Sequence, residues 1–158
     1  MRKLAEKEPW RHIPSNFRPL VKEDGLYGSN LPVLESQIDG LKRIKNIKAI
    51  VSLEAPSESI IKKIREAKIE HLVEEIPDSG APGYHQLERI LEFIKKHVSK
   101  GNRVMVHCQK GEGRTGMVHC AYLVEKGVDE HKALRQITVE SPEQWEFVSE
   151  YPKIRKMK

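Results

Sequence analysis

Apolar and polar positions along this chain alternate between two rhythms. Lys48 to Leu53 is a nearly continuous apolar run of strand length, as expected of a strand covered on both faces. Ile69 to Ile76 and Arg103 to His107 read the same way, and Leu26 to Gly28 as a shorter strand. Between them the spacing becomes helical. Pro32 opens a helix to about Ile44 with Val33, Leu34, Ile38 and Leu41 on one face, and Ser57 caps a second to Lys68 carrying Ile60, Ile61 and Ile64. Tyr84 to Val98 carries Leu87, Ile90, Leu91 and Ile94, and an apolar helix runs from about Arg114 to Glu125. Asp129 caps a further helix to about Val139, and Pro142 opens a last one that frays into the C-terminus. Residues 1–31 read as irregular, because Pro9, Pro14 and Pro19 forbid a long helix. Alternating strands and helices predict a single α/β domain: a largely parallel sheet of four to five strands with helices on both faces.

The 158 residues suit one domain spanning 1–158, able to bury roughly 70% of its unfolded surface. Residues 1–15 form an N-terminal extension and 151–158 a basic tail. The formal charge of +5 invites a nucleic-acid reading until it is located. Four of the 28 basic residues, Lys153, Arg155, Lys156 and Lys158, fall in the tail, and the remainder is nearly balanced by 23 acidic residues. Nucleic acid is therefore not the expected partner; a short basic end is more often a solubilising one. No run approaches the ~20 apolar residues of a membrane span, and Met1–Glu8 lacks the apolar core of a secretory signal. Two cysteines cannot build a disulfide framework and suit a reducing compartment, so a cytoplasmic location is expected. Abundant Lys, Glu and Ile with little Gln and Asn lean towards a thermophilic source.

Chemistry concentrates between the last strand and its helix, in His107-Cys108-Gln109-Lys110-Gly111-Glu112-Gly113-Arg114-Thr115-Gly116. Ligands of open α/β sheets bind beyond the carboxyl ends of the strands, where this segment lies. The step from Cys108 to Arg114 lets a tight loop set a sulfur at its base and a guanidinium at its rim. Gly111 and Gly113 allow successive N–H groups to converge on one centre, and the following helix aims its positive end there. That is a cradle for phosphate or another tetrahedral oxyanion, built from Gln109, Lys110, Gly111, Glu112, Gly113 and Arg114. The same field favours the Cys108 thiolate, a strong nucleophile. Arg114 can grip two oxygens, Thr115 can donate to the sulfur, and His107 would orient the loop. Cys120, on an apolar helix beside Val118, Ala121 and Leu123, reads as a buried small hydrophobe.

These residues resemble the signature of the cysteine-dependent protein tyrosine phosphatases: His-Cys, five residues, then Arg-Ser/Thr. The chain's length, and Gly28-Ser29-Asn30-Leu31-Pro32 ahead of the first helix, look most like the small atypical dual-specificity phosphatases, of the archaeal tyrosine phosphatase and VH1-like member Z type. The similarity covers roughly residues 16–150. It implies a phospho-cysteine intermediate and a general acid on a loop. Of the four aspartates, Asp129 reads as a cap, Asp39 lies inside a helix and Asp24 sits in the Asp24-Gly25 turn. Asp78, in Ile76-Pro77-Asp78 through Pro82, fits the acid loop of similar phosphatases, against the plainer reading of a turn-forming Asp. The resemblance also offers Gln144 as a residue that positions water, although the segment Arg135–Pro142 lacks the family's usual Arg-Pro-Gly-type turn.

The expected activity is hydrolysis of phosphotyrosine in proteins or peptides, and of phosphoserine or phosphothreonine within the same class. RNA 5′ ends or inositol phosphates are an alternative, though Lys110 and Glu112 nearly cancel where a polyphosphorylated head group would want positive charge. A phosphate-binding module without catalysis and a redox-sensing thiolate stay open. No cofactor or metal is expected. His71, His85, His97, His119 and His131 lack ligand spacing, and neither Cys-x-x-Cys nor His-Glu-x-x-His occurs.

Overall fold

The structure, a computed structural model, describes residues 8–156; the first seven residues of the extension and the last two of the tail lie outside it. Five strands form one sheet: β1 (Arg18–Val21), β2 (Leu26–Ser29), β3 (Ile47–Ser52), β4 (Glu70–Val73) and β5 (Arg103–His107). Their order across the sheet is β1-β2-β5-β3-β4. β1 runs antiparallel to β2, and every other pairing is parallel. Among the described residues six α-helices surround it: α1 (Glu35–Arg43), α2 (Glu58–Glu66), α3 (Tyr84–Ser99), α4 (Gly113–Glu125), α5 (Glu130–Arg135) and α6 (Pro142–Lys156).

The strands divide their side chains between two cores, as a two-residue period requires. Val104 and Val106 face one core with Leu26, Ala49, Val51 and the helices α3, α4, α5 and α6. Met105 faces the other with Ile47, Ile50 and the buried residues of α1 and α2. The stripe on α3 predicted by helical spacing, Leu87, Ile90, Leu91 and Ile94, is wholly buried. Each such side chain contributes roughly 1.5–3 kcal/mol of burial.

Register decides where the chemistry can lie. Ser29 pairs with His107, His107 with Ser52, and Ser52 with Val73. The last residues of the four parallel strands thus stand in one row, and the loops that leave them share one edge of the sheet.

Several boundaries differ from the sequence expectation. β1 falls inside the segment read as irregular; Pro19 is tolerated because the strand is an edge. α1 begins at Glu35, not Pro32, because Gln37 turns back and its Oε1 accepts the N–H groups of Val33 and Leu34 at 2.8 and 3.1 Å. Val33 and Leu34 are consequently 64% and 37% exposed, off the buried face that holds Ile38 and Leu41. β4 stops at Val73, three residues early. α5 ends at Arg135 rather than Val139: the β-branched Ile137-Thr138-Val139 run lies against α4, where a Cβ at Gly116 would collide with the Thr138 carbonyl. α6 stays helical to the last described residue, where fraying was expected. It runs through Pro152 to Lys156, held by buried Tyr151, whose hydroxyl reaches Glu125 at 3.2 Å, and by Arg155, 3.4 Å from Glu125.

Candidate active site

Cys108 is the first residue beyond β5 and is buried at 1% exposure. Thr115, on the first turn of α4, donates its hydroxyl to the Cys108 Sγ at 3.2 Å. Behind the sulfur a polar chain crosses three strands. His107 Nδ1 lies 3.1 Å from the Cys108 carbonyl, His107 Nε2 lies 2.6 Å from Ser52 Oγ, and Ser52 Oγ lies 2.7 Å from His71 Nε2. A carbonyl only accepts, so the His107 proton sits on Nδ1. Nε2 then accepts the Ser52 hydroxyl, and His71 Nε2 donates to Ser52. Burial, with lesser contributions from His71 and Arg114, holds His107 neutral and pushes its pKa down to about 4.

The loop is pinned from outside by its carbonyls. Leu31 N–H donates to the Gln109 carbonyl at 3.0 Å, Asn16 Nδ2 to that of Lys110 at 3.0 Å, and Arg18 Nη2 to that of Gly111 at 2.7 Å. In a trans peptide the N–H points opposite to the carbonyl before it. The N–H groups of Lys110, Gly111 and Glu112 therefore turn towards the inside of the loop, where the sequence leads us to expect an anion. Gly111 permits this with φ +76°, and a Cβ there would stand 2.5 Å from the Ser29 carbonyl. The side chains of Gln109, Lys110 and Glu112 are exposed.

Two features depart from the expectation. Gly113 N–H is not free for an anion in this state, because it donates to Glu140 Oε1 at 2.9 Å. Arg114 is not at the rim. Its side chain is 4% exposed, with Nη1 donating to the Ile76 carbonyl at 2.9 Å and Nη2 to Glu54 Oε1 at 3.0 Å. The same Nη2 stands 3.6 Å from Asp78 Oδ1, whose carboxylate is 72% exposed. The structure thus brings Asp78 to Arg114 across the top of the loop, though the two are far apart in sequence.

Gln144 is buried against Gly113, where a Cβ would stand 2.6 Å from its Oε1. Its amide is already engaged: Oε1 accepts Glu140 N–H at 2.8 Å and Nε2 donates to the Gly80 carbonyl at 3.2 Å. The sequence reading gave no role at this site to Glu54, Glu140, Ser52, His71, Arg18 or Asn16. A usable signal existed only for Glu54, an acid directly after a buried strand whose carboxyl end feeds the loop edge. Cys120 stands apart in the core, and burial pushes its thiol up to about 11. Among the described residues, no group of three or more His, Cys, Asp or Glu could hold a metal ion, and no helix is long and apolar enough to cross a membrane.

A strand-loop-helix that buries a cysteine beneath a threonine hydroxyl, with the adjoining arginine reaching an aspartate of another loop, is the arrangement of a cysteine-dependent phosphatase. Comparison with known proteins gives the family. Residues 30–128 match the model described as Tc-R-P, polymorphic toxin system, DSP-PTPase phosphatase. That is more than half of the chain, so the protein belongs to this family, among the small atypical dual-specificity cysteine phosphatases of the protein tyrosine phosphatase superfamily. The uncharacterized protein MJECL20 of Methanocaldococcus jannaschii is 40% identical over 93 residues, 56% of this chain and 63% of the relative. The chain thus spans less than two thirds of that relative's length. The crystal structure of Tk-PTP in the active form superposes with a TM-score of 0.72 at 30% identity, covering 81% of this chain and 91% of that one. The fold is shared with the kinase associated phosphatase, solved with its catalytic-site cysteine changed to serine. There the TM-score is 0.77 at 15% identity, over 92% of this chain and 98% of that one.

Proposed function

We infer that this cysteine-based phosphatase, a phosphoric monoester hydrolase, acts on phosphotyrosine in proteins or peptides by two displacements at phosphorus. In the first, the Cys108 thiolate forms a bond to phosphorus as the bond to the tyrosyl oxygen breaks, and Asp78 gives that oxygen its proton. Arg114 and the inward N–H groups of Lys110, Gly111 and Glu112 stabilise charge on the three equatorial oxygens. In the second, the Asp78 carboxylate takes a proton from water as the water oxygen bonds to phosphorus. The Cys108 thiolate departs, stabilised by the Thr115 hydroxyl, and inorganic phosphate is released. Gln144 holds the neighbouring segment in place, since both ends of its amide are engaged.

The observation that carries this reading is the meeting of four predicted residues, Cys108, Arg114 and Thr115 from one segment and Asp78 from another. Sγ of Cys108 takes the Thr115 hydroxyl at 3.2 Å, and the adjoining Arg114 reaches Asp78 at 3.6 Å. The Cys108→Ser protein should lose turnover of a phosphotyrosine peptide, while the native enzyme, quenched in acid during turnover, should carry one phosphoryl group on Cys108. Turnover retained by the serine variant would exclude the mechanism. Faster release of phosphate from a phosphoinositide or an RNA 5′ end would reassign the substrate.

A further inference from the structure

The loop that bears Asp78 is tied to the first turn of α6. Pro77–Gly80 is a tight turn closed by Gly80 N–H donating to the Pro77 carbonyl at 2.8 Å, with Ser79 in a left-handed conformation at φ +61°. Such a conformation is costly for a non-glycine residue and is kept only where surroundings hold it. Ser141 supplies one restraint, donating its hydroxyl to the Ser79 carbonyl at 2.6 Å. Gln144 supplies the other through its bond to the Gly80 carbonyl. The same Ser141 oxygen accepts Gln144 N–H at 3.1 Å, while the Ser141 carbonyl accepts Trp145 N–H at 3.0 Å, so Ser141 is also the cap of α6.

We propose that Ser141 is a positioning residue for proton transfer: its hydroxyl fixes the turn that holds the Asp78 carboxyl over Arg114. The inference rests on Asp78 being the acid in the reaction proposed above. One hydroxyl joins two jobs. Its lone pair caps a helix that packs on α4, and its proton holds the carbonyl next to Asp78. The acid loop has neither helix nor strand between Pro77 and Gly83, so its position is borrowed from the rigid helix through these bonds. Without the donated proton, the Gln144 bond is left as the turn's tie to α6, and Asp78 spends less time within reach of the leaving oxygen.

Three substitutions separate the two jobs. Ser141→Ala removes both; Ser141→Asp keeps a capping acceptor but has no proton to donate; Ser141→Thr keeps both. With phenyl phosphate, whose leaving group needs a proton, kcat should fall about three- to tenfold in the Ala and Asp variants, the worth of one hydrogen bond. With para-nitrophenyl phosphate the fall should be smaller, and the inhibition constant of inorganic phosphate should not move. The Thr variant should regain the native leaving-group dependence. Amide exchange in peptides covering residues 77–83 should quicken in the Ala and Asp variants and return to the native rate in the Thr variant.

An Asp variant that behaves as the native enzyme in both assays would overturn the proposal, leaving Ser141 as a cap. So would equal losses on both substrates with unchanged exchange. If the native protein hydrolyses no aryl phosphate, the hydrolase reading fails by itself. The exchange rates then decide whether the latch exists.

Discussion

Glu54 and Arg114 meet at 3.0 Å, a carboxylate at the end of one buried strand bracing a guanidinium at the start of a helix. The arginine is 4% exposed and the glutamate 31%. Burying a guanidinium is costly unless its donors are met, and Glu54 together with the Ile76 carbonyl meets two of them while fixing the plane that would face phosphate. Glu54→Gln keeps the shape and removes the charge. Denaturant unfolding should lose about 1–2 kcal/mol, discounted for the half-open carboxylate, and kcat/KM should drop about tenfold as the guanidinium loses its orientation. Native values for both would leave the pair without consequence.

Acid should destabilise the fold over a defined window. His107 and His119 are pushed down to about 4, in both cases chiefly by burial, against about 6.5 in the unfolded chain. Between these values the unfolded state binds more protons, so stability rises with pH through the window. It is fully present above about 6.5 and lost as pH falls towards 4, by up to roughly 3 kcal/mol per histidine. Urea titrations at pH 7 and pH 4.5 would measure the fall, and replacing His107 by Asn should make it shallower. An equal slope in that variant would move the effect to other groups.

Glu140 sets a carboxylate on an N–H of the proposed anion cradle, 2.9 Å from the Gly113 nitrogen. An incoming phosphate meets that charge as a competitor. Glu140→Gln should tighten inhibition by inorganic phosphate about two- to fivefold, a modest gain because Glu140 is exposed. The advantage should shrink as salt rises. Weaker phosphate binding in the variant would show that Glu140 organises the cradle rather than competing for it.

Cys120 should be inert in the folded protein. Its thiol is pushed up to about 11 by burial and is 1% exposed, so the reactive thiolate is scarce at neutral pH. Peptide mapping after iodoacetamide treatment at pH 8 should find Cys120 unmodified until denaturant is added. Modification at native conditions would reveal local opening of α4.

The legible part of the molecule was the part written in local pattern. The apolar runs that became β3 and β5, the stripe of α3, and the glycine-bearing segment Cys108–Thr115 carry their meaning within a few residues. β1 was missed because four residues containing a proline on a sheet edge show no alternation. The helix preceding Ser141 was drawn too long because periodicity alone does not report that Thr138 must lie against Gly116. Glu140 and Ser141 escaped for a related reason. They are ordinary polar residues of a connecting segment, and what distinguishes them is the long-range fold that lays this segment over Gly113 and Ser79.

The hydrogen bonds from His71 through Ser52 and His107 to the Cys108 carbonyl all point the same way. A second proton on His71 goes to the ring nitrogen that lies outside the chain, and nothing need turn. A second proton on His107 lands on Nε2, where it faces the Ser52 hydroxyl donor. Ser52 would have to swing that proton towards His71, which is already donating. Titration is thus allowed at one end of the chain and blocked at the other, and the backbone beneath the sulfur keeps its orientation while the half-buried His71 changes charge.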